Sequence, residues 1–331
     1  MTHAADYTAR RATVDGIEVV KLADTKNQVE VSIVPSIGNN SYSMTVKGKE
    51  VFWSPYKTLK EFRDKPALLG NPFLAPWANR LDQDAFYANG KKYLLNPDLN
   101  NYRYDASHQP IHGLVVYASE WRVVSMAAGA ASAKVTSRLE FWKRPDWMAQ
   151  FPFAHAIEMT YRLSNGALEV ETEVENLSSD PMPLVIGYHP YYKLPGSARD
   201  DWKATVPARE HVRLSEKLTP TGEFEPVRLP QPVTLKDNKL DDVFTGLVRN
   251  SKGQAVFVLE GGKEKLSFLF GPKYSTAVVY APPGRDFICF EPMTGITNAM
   301  NLAHAGKYKD LQTVPPGGKW KESFFIVPAG F

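Results

Sequence analysis

The chain reads as all-β, a large antiparallel β-sandwich formed as a single domain over residues 1–331. Three observations predict this. Apolar and polar residues alternate with period two through many short segments. Turn residues bound those segments, and the 25 prolines and 22 glycines are spread along the chain rather than pooled in a linker. Convincing helical periodicity is rare. Large all-β domains reach roughly this length as one unit.

Strands are expected first at Val29–Val34, Ser43–Val46 and Val51–Trp53, then at Trp121–Ser125 and Ala133–Trp142. The clearest hairpin follows. Ile157, Met159, Tyr161 and Leu163 alternate with Glu158, Thr160 and Arg162, and Ser164-Asn165-Gly166 supplies a turn. Beyond it, Leu168, Val170, Thr172 and Val174 alternate with Glu169, Glu171, Glu173 and Glu175. The four glutamates sit opposite the apolar residues, so they mark a solvated outer face and not a catalytic cluster. Further strands are expected at Val256–Leu259, Lys265–Phe270, Ala277–Ala281 and Phe287–Glu291, and Glu322–Val327 closes the domain. Only Thr58–Arg63 and Asn298–Ala303 carry a helical turn or two.

Composition removes several classes of function. Hydrophobic residues make up 43% of the chain, enough for a substantial core. A net charge of +3 with no basic stripe gives no nucleic-acid surface. No stretch approaches the roughly 18 apolar residues a membrane span needs. Met1 to Val14 is polar and has no apolar signal core. Cys289 is the single cysteine, which excludes an intrachain disulfide and zinc sites built on several cysteines. A reducing, cytoplasmic setting is expected.

Several islands have the wrong composition for simple connections. Gly70 through Leu81 combines Pro72, Pro76, Phe73 and Trp77 with a terminal Asn79-Arg80. Ile111-His112-Gly113, Gly187-Tyr188-His189-Pro190-Tyr191-Tyr192, Asp241-Asp242-Val243-Phe244 and Cys289-Phe290-Glu291-Pro292 follow. Polar groups set among aromatics suit a sugar, whose C–H faces pack on rings while its hydroxyls need fixed polar partners. Each residue also has a plainer reading. Arg80 could tie loops together, His112 and His189 could be satisfied core histidines, and Asp241 and Asp242 could be turn residues. Glu291 is harder to dismiss, because it ends an apolar strand and a carboxylate buried there without a partner is costly. Cys289 lies two residues before it on the same face and reads as a small filler. His155 and His211 carry no assigned role.

Taken in order, the islands resemble the aldose 1-epimerase, or galactose mutarotase, family. Asn71-Pro72-Phe73 through Asn79-Arg80 is similar to the family's first motif, and Phe86, Gly90-Lys91 and Tyr93-Leu94 to its next hairpin. His112-Gly113, His189 with Tyr191 and Tyr192, Asp241, Glu291-Pro292 and Pro316-Gly317 match the rest at family-like spacing, over nearly the whole chain. The chain departs from the commonest pattern at Pro190, and Asp241-Asp242 leaves a register ambiguity in which spacing to Phe244 favours Asp241. The resemblance implies the family's supersandwich fold and no metal or organic cofactor. Its substrate would be a small free aldose. By the same resemblance Glu291 is the general base toward the C1 hydroxyl and His189 the general acid toward the ring oxygen. His112, Arg80, Asp241 and Asn79 hold the sugar. Two rival readings remain open. A glycoside hydrolase would use Asp241 and Glu291 as its carboxylate pair, and a carbohydrate-binding or sugar-sensing protein would bind without catalysis. A metal enzyme has little support, since no His-x-His spacing occurs and the one His-x-x-x-His pair, His108 and His112, is interrupted by Pro110 and so does not lie on a helix face.

Overall fold

The computed structural model describes residues 6–236 and 238–331; the first five residues of the polar N-terminal stretch lie outside them. Nearly all regular structure is strand, and every strand pairing is antiparallel. The alternating segments assemble into a nine-stranded sheet. Its order is Arg122–Ala128, Ala133–Glu140, His155–Ser164, Ala167–Asn176, Lys319–Ala329, Glu264–Phe270, Ala255–Gly261, Lys203–Thr205 and Val233–Thr234. Its central strands are buried at every second residue.

An eight-stranded sheet packs against it. The order is Pro220–Pro226, Ala208–Leu214, Leu240–Leu247, Thr276–Ala281, Ile288–Met293, Gly187–Tyr188 and Phe73–Leu74, with Tyr191–Tyr192 also paired to Ile288–Met293. Aromatic rings fill the layer between the sheets. Phe290 lies 5.1 Å from Phe268 and 5.6 Å from Phe257, and Tyr188 lies 4.9 Å from Phe324. Full burial of one such ring stabilises the fold by about 1.5–3 kcal/mol. The Tyr188 hydroxyl is buried as well and hydrogen-bonds the Thr172 hydroxyl across the layer. A five-stranded sheet, Tyr7–Val14, Ile17–Asp24, Val29–Val34, Asn40–Val46 and Lys49–Glu50, flanks the sandwich.

The hairpin at residues 164–167 turns as its sequence predicts, with Asn165 and Gly166 both at positive φ. Its glutamate row faces outward but is not simply solvated. Lys319 meets Glu173 at 2.8 Å, Lys321 meets Glu171 at 2.8 Å, Arg138 meets Glu175 at 3.3 Å, and Arg162 pairs with Glu169. Cross-strand charge pairs of this kind add a few tenths of a kcal/mol each, up to about 1. Both short helices form. Thr58 caps Leu59–Asp64 in a reciprocal capping box with Glu61, and the second helix spans Ala299–His304.

Some expectations move. Val51–Trp53 is not a strand; the sheet strand ends at Glu50, and Phe52 makes one isolated bridge to Tyr192. The strand expected to reach Trp142 stops at Glu140, where the chain tightens into a 3₁₀ turn at Phe141–Lys143 and then a helix, Pro145–Gln150. Pro145 opens that helix at its first turn, where a missing N–H costs nothing. Asp241 and Asp242 lie within the strand Leu240–Leu247 and not in a turn. No described helix is long and apolar enough to cross a membrane.

Candidate active site

The strand Ile288–Met293 is buried at every position, so both of its faces are covered. Phe290 points into the sandwich core; Cys289 and Glu291 point the other way. Register then brings a histidine over the carboxylate. Gly187 pairs with Met293 and Tyr191 pairs with Cys289 on the same strand, so residue 189 falls opposite residue 291. The His189 backbone N–H donates to the Pro72 carbonyl at 3.0 Å, and its ring stacks on Tyr191 at 4.8 Å. The result is His189 Nε2 at 3.3 Å from Glu291 Oε1. Proline at 190 breaks the strand pairing at the point where the chain must arch over Glu291.

Three polar atoms at this centre are buried without a partner among the described residues: Glu291 Oε2, His189 Nδ1 and His112 Nδ1. Burial pushes the Glu291 carboxyl well above its usual range; nearby Asp241 adds to the rise and Arg80 opposes it. Burial likewise pushes His189 down to about 3, with Arg103 and Arg80 contributing. His112 is driven well below its ordinary value by burial, then by His189 and the two arginines. Such shifts mark groups kept from water.

His112 meets His189 edge-on, ring centroids 5.4 Å apart. It sits at positive φ on a sharp corner, and its backbone N–H donates to the Asn79 carbonyl at 2.9 Å. Gly113 makes that corner. It adopts φ +67°, and a Cβ there would lie 2.1 Å from the Ala75 carbonyl oxygen, which accepts N–H bonds from Leu114 and Val115. Gly113→Ala is therefore expected to destabilise the fold by about 1–3 kcal/mol. Urea unfolding would read this as a lowered midpoint at unchanged slope. An unaltered midpoint would show that the corner relaxes freely.

Arg80 reaches the centre from the neighbouring loop. Its Nε donates to Asp105 Oδ2 at 2.6 Å and Nη1 to Asn79 Oδ1 at 3.0 Å. Asp105 is fixed in turn by the backbone N–H groups of Ser107 and Gln109. These bonds and Arg80 hold its carboxyl below the usual range despite its partial burial. Asp105 was not marked by the sequence. Asn79 turns its side chain toward Arg80, so it positions the guanidinium.

The Asp241/Asp242 ambiguity is a matter of faces. Asp241 pairs with Tyr280, and Tyr280 pairs with Cys289, so Asp241 shares the face that carries Glu291. Asp242 takes the opposite face and accepts from His211 Nε2 at 2.8 Å. Asp241 is half-buried, and burial pushes its carboxyl upward. Trp77, set inside the first island, is wholly buried and belongs to the core. Roomy grooves elsewhere are chemically quieter. One of about 300 Å³ is lined by Tyr42, Glu50 and Lys193, but its Glu50 already accepts from Ser43 Oγ and two backbone N–H groups.

A carboxyl and an imidazole in contact, with cationic and anionic groups around them, have the chemistry to exchange protons with a small polar molecule. Comparison with known proteins agrees in kind. The family model described as Aldose 1-epimerase matches residues 19–325. The chain is 23% identical over 257 residues to YphB of Escherichia coli K12, covering 74% of this chain and 78% of that protein. It is 27% identical over 149 residues to YihR of the same strain, covering 45% of this chain and 44% of YihR, less than half of that protein's length. Both relatives are described as uncharacterized. Among solved structures, a galactose mutarotase-like protein from Clostridium acetobutylicum superposes with TM-score 0.87 at 21% identity, covering 98% of this chain and 99% of that one. A galactose 1-epimerase from Lactobacillus acidophilus NCFM superposes at 0.75 and 16% identity, covering 98% and 99%. At these identities the structural likeness is one of fold.

Proposed function

The chain belongs to the aldose 1-epimerase family, and on that premise we propose that it interconverts the α and β anomers of a free aldose. Glu291 takes the proton from the C1 hydroxyl and His189 delivers one to the ring oxygen. The C1–O5 bond breaks with its electron pair going to O5, and C1=O1 forms. Rotation about C1–C2 followed by the reverse proton movements closes the other anomer. Each positioned group contributes about 10²–10⁴-fold.

The observation that carries this reading is the 3.3 Å contact between His189 Nε2 and Glu291 Oε1, in a buried centre where Glu291 Oε2, His189 Nδ1 and His112 Nδ1 lack partners among the described residues. With nothing bound, burial favours the neutral arrangement, with the single proton on Glu291. A sugar hydroxyl donating to the unpartnered Oε2, together with the positive charge of Arg80, favours the ionised carboxylate that begins the reaction. Arg80, His112 and Asp241 supply the donors and acceptors that fix the remaining hydroxyls. Asp105 and Asn79 hold Arg80 in place.

The test is anomer exchange measured by NMR on a panel of free aldoses, beside polarimetry on freshly dissolved α-glucose and α-galactose. Acceleration above the buffer rate is expected for at least one of them. Saturable sugar binding without acceleration would replace this reading with a carbohydrate-binding one. Release of sugar from an aryl glycoside, with no exchange, would replace it with glycoside hydrolysis by Asp241 and Glu291.

A further inference from the structure

We propose that the same buried centre binds a soft divalent cation of the zinc class, with His189 Nε2, the Glu291 carboxylate and the Cys289 sulfur as its protein ligands. Among the described residues this is the cluster of three such side chains whose ligand atoms converge, all lying within 4.8 Å of one another. All three residues are buried. Zinc sits about 2.0–2.3 Å from nitrogen, oxygen and sulfur ligands, so two ligands around a tetrahedral ion stand about 3.3–3.8 Å apart. The imidazole and carboxylate already do, at 3.3 Å. Closing the sulfur onto the same point takes about an ångström of side-chain movement.

A second observation points to a ligand. Glu291 Oε2 is buried and has no hydrogen-bond partner among the described residues, which leaves the carboxylate free to turn toward a cation. The donor set selects the metal. One sulfur and one imidazole nitrogen favour zinc, cadmium or cobalt over magnesium and calcium, which take oxygen ligands. Binding converts the Cys289 thiol, the protonated Glu291 carboxyl and M²⁺ into Cys–S–M and carboxylate–M bonds, with two protons released to solvent. A thiolate and a carboxylate then neutralise the two positive charges, which suits a buried centre. Three protein ligands leave the fourth position for water.

The consequence rests on the proposed function, but the binding does not. A cation here takes both proton-transfer atoms, so zinc silences anomer exchange. Cys289 lies outside the proton path, so replacing it removes the metal and spares turnover. The experiment titrates the intact protein with Cd²⁺ and follows the near-ultraviolet thiolate-to-metal absorption. In parallel, anomer exchange is measured with Zn²⁺ and then with excess EDTA. One Cd²⁺ per chain, inhibition by Zn²⁺ and recovery in EDTA are expected. In Cys289→Ala and Cys289→Ser the absorption band disappears, and inhibition needs at least about 10-fold more Zn²⁺, while the metal-free rate stays. Absence of the band in the wild type, or equal inhibition of the folded variants, overturns the site. If no aldose is turned over, the functional reading fails and the Cd²⁺ band still decides the metal site.

Discussion

Glu291→Gln is expected to slow anomer exchange by about 10²–10⁴-fold without changing the fold. Glutamine keeps the shape of the side chain and can still hydrogen-bond, but it accepts no proton from the C1 hydroxyl. The substitution is structurally mild because burial already favours the neutral carboxyl at this position, so a neutral amide meets the same environment. A 10³-fold loss corresponds to about 4 kcal/mol of lost transition-state stabilisation. That loss should appear equally in kcat and kcat/KM, since the proton transfer exists only in the transition state. Polarimetry on fresh α-anomers gives the rate, and a thermal unfolding curve checks the fold. A variant that turns over like the wild type would remove Glu291 as the base.

The fold was largely legible because period-two alternation is a direct imprint of a two-layer sandwich. Ala167–Asn176 and Ala255–Gly261 show it at every second residue. It failed where packing overrides pattern. Tyr7–Val14 and Ile17–Asp24 form a hairpin on the Asp15–Gly16 turn, a signal present in the sequence but masked by the polar composition around it. The helix at Pro145–Gln150 is too short to show a period. In the site, the sequence offered residue types at proline-stiffened corners, and the strand register supplied what it lacked. Residues 187 and 191 flank position 189 on the strand carrying 293, 291 and 289, a juxtaposition that no local spacing encodes. Asp105 stayed invisible for the same reason, because its value lies in meeting Arg80 across 25 residues. Cys289 read as filler because its proximity to His189 exists only once that corner folds over the strand.

His189→Asn should cost about 10²–10⁴-fold in kcat, and the pH profile should say why. Burial pushes the histidine down to about 3 and the carboxyl up, so the pair holds one proton over a wide range of pH. The productive arrangement, ionised Glu291 with protonated His189, is a fixed fraction of that singly protonated state. For the wild type, the acid limb of kcat/KM should therefore lie toward about 3, where a second proton binds the pair, and not at the ordinary carboxyl value of 4.5. At the alkaline end it falls when the pair loses its single proton, above the ordinary carboxyl value of 4.5. Removing the imidazole moves the acid limb upward. In His189→Asn the base alone must be ionised, so residual activity should decline with falling pH through the raised carboxyl value, a limb higher than the wild type's. A wild-type acid limb at the ordinary carboxyl value of 4.5 would show that the two groups titrate independently and would sink the shared-proton account. A variant in which only KM rises would make His189 a residue that holds the sugar and not its acid.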